Sequence, residues 1–523
     1  MESTSTSMPW YKSSAAIGIA TILFPPLGLI LLWTRGDMET GKKVFGSVAI
    51  VALSVSYIFI IFFSGLFGSG GMFFAKPDPR MEAHYDELER QRAQQREALA
   101  SSSVSASTPD QPTAGAASNA NASQPAAVPG AAASRSTRTY WTDYRGPSRD
   151  GRYDEVPIRT EWPAGGPRLL WKQPIGGGYA SFVIAEGVAF TIEQRRRQEV
   201  VAAYDLETGR ELWTQASDAE FVESMGGDGP RATPTWEAGR LYALGAVGDL
   251  RCLDAKTGKV NWTKNILKDA GAENLQWGMA GAPLIVDDKV VVLPGGRSGK
   301  SIVAYNKMTG AQAWKSLNDT QAYVSPMLVT LAGQKQILVV TSNRVVGLAP
   351  SDGALLWESS WNTDMGINCS QPIVIDGNRF FISSGYGKGA ALVEITSSGD
   401  GMSARKVWEN TSMKNKFNSS VLFEGNVYGL DEGILTCVDV KTGERKWKGG
   451  RYGYGQLILA SGHLIIISDT GELALVKATP EKHAEVAKFP ALEGKTWNYP
   501  AIADGRLLVR NQTQMACFDL SGK

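Results

Sequence analysis

Cysteine and histidine are scarce in this 523-residue chain, and what they fail to form narrows the chemistry first. The four cysteines, Cys252, Cys369, Cys437 and Cys517, lie far apart and no Cys-x-x-Cys-His occurs, so a c-type haem domain is not expected. None precedes residue 252, so lipid anchoring through an N-terminal cysteine is not expected either. Of the three histidines, only His463 and His483 fall in the region of globular composition. Neither has Cys, His or an acidic cluster near it in sequence, so a zinc site and a histidine-based triad are not expected. An excess of one charge is missing too: 53 Lys and Arg against 52 Asp and Glu leave +1, which gives no footprint for nucleic acid.

Charge is absent altogether from residues 15–33 and 44–67, stretches of 19 and 24 residues. Roughly 20 apolar residues span a bilayer, so residues 1–75 are expected to be a membrane anchor of one or two transmembrane helices, with Pro25 and Pro26 kinking the first. Arg35, Lys42 and Lys43 between the stretches place that loop in the cytoplasm and the remainder outside it, on the periplasmic side. The basic residues Lys76, Arg80, Arg90, Arg92 and Arg96 weigh against that orientation. Residues 76–100 are rich in Glu, Arg and Gln and are expected as a charged, solvated helical stalk. The Ser/Ala/Pro-rich stretch 101–139 has too little apolar mass for a core and is expected as a disordered linker.

What the chain has in abundance is a repeat. Ala203, Asp205, Thr208, Gly209 and Trp213 return as Cys252, Asp254, Thr257, Gly258 and Trp262, and again at Ala304 to Trp314 and Cys437 to Trp447. Weaker copies end at Trp357, Trp408 and Phe489, and the eighth is split, its last strand ending at Leu520 and its Trp supplied by Trp171. Asp accepts from backbone N–H groups two or three residues on and Gly tolerates positive φ, so D-x-x-T-G describes a tight turn between strands. A fixed Trp on the outgoing strand needs a slot in its neighbour, which makes Trp171, Trp213, Trp262, Trp314, Trp357, Trp408 and Trp447 docking residues between units. A second signature, a small or polar residue, Pro and a short apolar run, also occurs eight times. Units of about four strands at periods of 39 to 52 residues describe an all-β, eight-bladed β-propeller over 140–523.

The docking motif, with the opening Trp141, Tyr144, Arg145, Gly146 and Pro147, resembles the quinoprotein-like (PQQ-like) propeller family, here in a membrane-anchored variant. The resemblance implies eight blades and one of two roles. One is a non-enzymatic binding or scaffold module for envelope proteins, with no cofactor; the other is a dehydrogenase of alcohols or sugars that holds pyrroloquinoline quinone (PQQ) with Ca²⁺ on the propeller axis. Alcohol dehydrogenases of the family typically stack the quinone on a disulfide between adjacent cysteines. This chain lacks such a pair, which favours the scaffold.

The site is expected where the loops from each outer strand to the next inner strand converge. Two of them, Trp213 to Pro234 and Trp262 to Pro283, run 21 residues against 9 to 15 elsewhere, and long loops on a rigid scaffold collect binding residues. The expected ligand-binding rim is Arg231, Trp277, Tyr323, Asn368, Asn418, Tyr454, Trp497 and Asn498, with Trp277 and Trp497 stacking and the polar groups fixing orientation. The alternative is that these residues satisfy backbone groups and fill the hub. Asp228 is the one candidate base or Ca²⁺ ligand, by chemistry alone.

Overall fold

A computed structural model describes residues 21, 25–35, 38–66, 79–105, 140–399 and 401–522. They belong to two units, Met1–Asp78 and Pro79–Lys523. In the first, helix α1 (Pro25–Trp33) packs on helix α2 (Thr40–Leu66), with Leu32 and Ile50 buried and the Trp33 Nε1–H donating to Ser47 Oγ at 2.8 Å. Over the described residues no helix is long and apolar enough to cross a membrane. Parts of both expected spans, and the linker from residue 106 to 139, lie outside the described residues.

The second unit is built of eight four-stranded antiparallel blades, one of which carries a fifth strand. The repeat forms for a local reason. In blade one Asp205 Oδ1 accepts from the Thr208 N–H at 3.0 Å and its hydroxyl at 2.8 Å, and Gly209 follows at φ 67°. The same turn recurs at Asp254, Asn306 and Asp439. Its glycine does more than turn the chain: a Cβ on Gly209 would lie 2.6 Å from the Trp171 ring, and one on Gly258 2.5 Å from Trp213. Each docking Trp therefore lies flat on the turn of the next blade and donates its indole N–H there. Trp171 reaches Leu206 O at 2.9 Å, Trp213 Ala255 O at 3.1 Å and Trp262 Lys307 O at 3.0 Å. Trp314 reaches Pro350 O at 3.1 Å, Trp408 Val440 O at 3.0 Å and Trp447 Thr479 O at 2.9 Å.

Trp357 departs from the rule, because blade five replaces the turn with a long hairpin, Gly389–Ser398 and Gly401–Asn410. Its indole instead donates to Gln336 Oε1 of its own blade and stacks on Phe380 at 5.6 Å. Ring closure is as the split repeat implies: Arg168–Pro174 pairs with Gln514–Asp519, setting Arg168 opposite Asp519 and Trp171 opposite Cys517. This pairing removes two free sheet edges.

Residues 140–153 fill the hub. Trp141 and Arg145 are fully buried, and Arg149 is 3% exposed. Arg149 donates to Pro326 O at 2.8 Å, Ala282 O at 3.3 Å and Pro283 O, bridging blades three and four, and it pairs with Asp143 at 3.1 Å. Arg145 donates to Ser420 O of blade six at 2.7 Å, and Tyr144 meets Tyr499 of blade eight edge-on at 5.2 Å. The segment leaves as the strand Arg152–Tyr153, the fifth strand of blade seven, parallel to Gln456–Ala460. The stretch expected as a stalk is helix α3 (Pro79–Ser105), and it lies against the propeller with Tyr85, Leu88 and Arg92 buried.

Candidate functional site

The loops between blades place their side chains by register. The residue three before the proline that leads into an inner strand, or before the residue in its place, is Tyr179, Arg231, Tyr323, Cys369, Phe417 or Trp497 in six of the eight connections, and each is half-buried. Tyr454 takes the same place one residue later, and the long second loop brings Trp277. That loop opens on a short helix, Ile266–Ala270, capped by the Asn265 side chain accepting from the Lys268 N–H.

The rings touch from one connection to the next and, in one pair, past it. Phe417 lies 4.6 Å from Trp497 and 5.0 Å from Tyr454, although the connection carrying Tyr454 separates the other two in the ring. Tyr179 adds to Trp497 at 5.6 Å, and Trp277 pairs with Tyr323 at 5.6 Å. Cations sit on these faces: Lys495 Nζ is 3.7 Å from the Trp497 centroid, the Arg231 guanidinium 4.5 Å from Phe221, and Lys416 Nζ 5.0 Å from Tyr454 while donating to its hydroxyl at 3.0 Å. Such contacts contribute about 0.5 to 2 kcal/mol each, more where water is excluded. Burial lowers the pKa of Lys495 and of Arg231, and pushes the Tyr179 phenol and the Cys369 thiol up to about 12, so both stay neutral. Around this paving Val222, Met225 and Met365 stand 59%, 68% and 67% exposed.

Of the expected rim, Arg231, Trp277, Tyr323, Tyr454 and Trp497 come together at this end of the hub. The three amides do not. Asn368 is buried, donating to Thr341 O at 2.9 Å and accepting from the Ser384 hydroxyl at 2.8 Å. Asn498 donates to Gly178 O and Ala180 O, and Asn418 accepts from the Asn415 amide at 3.1 Å. Asn498 thus ties two neighbouring connections together, Asn368 ties its connection to turns of blades four and five, and Asn418 stays within its own connection. Arg231 serves two ends at once, since it also donates to Gly229 O and Gly227 O and so shapes its own loop. Tyr179, Phe221, Phe417, Lys416 and Lys495 complete the group outside the expected rim, and for Tyr179 and Phe417 the register before the inner strand carries the signal.

Asp228, the candidate base, accepts from the Glu223 N–H at 2.9 Å, and Glu223 in turn accepts from the Met225 N–H at 2.9 Å and from the Gly226 N–H. Both carboxylates thus fold their own loop. Among the described residues no three His, Cys, Asp or Glu side chains converge to hold a metal ion. A quinone on the axis would also compete for space with the Phe417 and Trp497 rings above and with Arg145 and Arg149 below. These residues do not fit a Ca²⁺-held quinone. They fit contact with a surface: stacking area, a few cations and exposed methionine.

The family described as outer membrane protein assembly factor BamB matches residues 196–449. The protein of that name from Bordetella pertussis (strain Tohama I) is 21% identical over 316 residues, 58% of this chain and 73% of that protein. The quinohemoprotein alcohol dehydrogenase ADH-IIG of Pseudomonas putida is 27% identical over 173 residues, 31% of this chain but 23% of that enzyme. The crystal structure of the quinohemoprotein alcohol dehydrogenase from Comamonas testosteroni superposes with a TM-score of 0.52 at 14% identity, over 75% of this chain and 82% of that one. At that identity the likeness is one of fold.

Proposed function

We propose that this propeller of PQQ-like repeats is a binding or scaffold module for proteins of the cell envelope, working through the paved end of its hub. The observation that carries the proposal is the filled axis. The 140–153 segment bridges it on one side and two groups of rings line it on the other, so in this proposal recognition is left to a surface of rings, cations and exposed methionine. Aromatic residues, Met and Arg are the types enriched where proteins meet. The similarity to an outer membrane protein assembly factor over 73% of its length supports the same kind of role. In this proposal residues 1–75 hold the module at the membrane, through 15–33 and 44–67, on the extracytoplasmic side. The chain then stays with membranes after alkaline carbonate extraction, and a reporter joined after residue 139 is active only outside the cytoplasm.

The test uses the full chain in intact envelopes, with a photo-crosslinking residue at Met225 or Met365 and, as a control, at Met308 in the blade-three turn at the opposite face. Discrete adducts from the first two positions and none from the third are expected, with Trp497→Ala removing most of them. No adduct from either mouth position would refute the proposal. Saturable binding of PQQ with Ca²⁺ by the purified chain, with dye reduction by an alcohol or sugar, would transfer the assignment to a dehydrogenase.

A further inference from the structure

Helix α3 has the composition of a solvated helix, yet it lies on the seam where blades eight and one close the ring. One face of it, Glu82, Asp86 and Glu89, surrounds Arg196 at the tip of a blade-one hairpin, with Asp86 at 2.6 Å and Glu89 at 3.1 Å. Exposed pairs of this kind contribute little each, so the buried contacts decide the docking. Arg92, 2% exposed, lies 5.3 Å above the Tyr204 ring, 3.5 Å from Glu211, and donates to Pro174 O at 2.8 Å. Tyr85 and Leu88 are buried beside it, and His84 Nε2 meets Ile175 O at 2.8 Å.

Two of those partners are consecutive in the chain. Pro174 and Ile175 begin the crossover from the outer strand of blade eight to the inner strand of blade one. The far half of the same crossover builds the mouth. The N–H groups of Tyr179 and Ala180 donate to Pro230 O at 2.7 and 3.2 Å, and the Tyr179 hydroxyl donates to Gly226 O. Between the halves, Gln512 accepts from the Gly178 N–H at 2.8 Å, and Gly177 exchanges backbone hydrogen bonds with Gln194, whose side chain accepts from the Phe221 N–H at 2.9 Å. A continuous run of contacts leads from the helix to the loop that carries Arg231.

We propose that α3 is a latch on the seam of the ring that positions the mouth: docked, it fixes the crossover 174–181 and through it the 221–231 loop. This rests on the mouth being the binding surface, and it makes the order of that surface depend on a segment outside the blades.

Hydrogen exchange on the full chain reads it without any partner, so the crosslinking test of the mouth and this one fail independently. Leu88→Asp with Arg92→Glu changes the helix alone and leaves every blade residue in place; Arg196→Glu is the milder variant from the propeller side. Faster exchange is expected in 79–105, and exchange at least about tenfold faster in both 174–181 and 221–231, as for a local opening. The inner strands Leu284–Val286 and Met327–Leu331 should not change. A released helix with an unmoved 221–231 loop would overturn the proposal. So would a helix still protected in both variants, or a uniform rise across all blades in both, which would make α3 part of global stability only.

Discussion

Arg149→Met tests whether the N-terminal segment is structural to the ring. The guanidinium is 3% exposed and donates to carbonyls of two blades, to the Thr235 hydroxyl at 3.3 Å, and to Asp143. Methionine fills similar volume but satisfies none of them. A buried acceptor that loses its donor costs about 1 to 3 kcal/mol, and breaking a buried ion pair from one side about 3 to 5 kcal/mol. These do not simply add: carbonyls keep a second lone pair, Asp143 retains 19% exposure, and burial already lowers the pKa of Arg149, so removing it returns part of its own desolvation cost. A net loss of about 3 to 4 kcal/mol remains. Urea denaturation followed by tryptophan fluorescence measures it, with Asp143→Asn in the same chain as the control. The double variant should lose less than the sum of the singles, since the stranded carboxylate is then gone. A loss below about 1 kcal/mol for Arg149→Met would refute the claim that this side chain ties the hub together.

Trp213→Ala opens a cavity at the interface of blades one and two and should cost about 3 to 5 kcal/mol, read by the same denaturation, while mouth crosslinking in the folded fraction stays unchanged. Glu199 should make stability depend on pH. It is fully buried, and burial pushes its pKa up to about 7 against the opposing Ala246 N–H and Arg251. Because the folded value lies above the unfolded value of about 4.3, its penalty is absent below about pH 4, grows as pH rises, and is complete above pH 7. Wild type should therefore lose on the order of 3 kcal/mol relative to Glu199→Gln between about pH 4.5 and 7.5. A difference between the two that stays flat with pH would contradict this.

The parts of the fold that were legible in the sequence are those whose causes are local. The turn glycine and the docking Trp are each required within one unit and its neighbour, so the pattern survives in most copies, and the missing eighth Trp predicts the pairing of Trp171 with Cys517. The mouth was legible in part. An aromatic residue three before the proline position recurs in four connections, Tyr179, Tyr323, Phe417 and Trp497, whatever the loop length, whereas an Asn in the same loop does not reveal whether its amide meets a ligand or a carbonyl. The hub segment was illegible for another reason: Arg149 finds its partners 133 to 177 residues away and Arg145 finds Ser420 275 away, and no local pattern encodes such distances. The docking of α3 was hidden by its own composition, since three buried anchors among many charged residues leave the average of a solvated helix.

A filled hub changes what the eightfold repeat can offer a partner. Five of the eight blade interfaces are the same Trp on the same glycine turn, at Gly209, Gly258, Gly310, Gly353 and Gly443, so they distinguish little direction around the ring. Direction comes from the connections, which differ: a cation at Arg231, a thiol at Cys369 where its neighbours carry rings, and a Lys495 that lies on Trp497 and donates to Met225 O of the first long loop at 3.3 Å. Rings supply area that tolerates many partners, while cations set at particular connections penalise a partner turned by one blade. In the proposed binding role orientation therefore rests on the few positions where the repeat is broken, and two of these cations, Arg231 and Lys495, lie over the Tyr179 ring of the seam crossover, which joins them to the helix that crosses it.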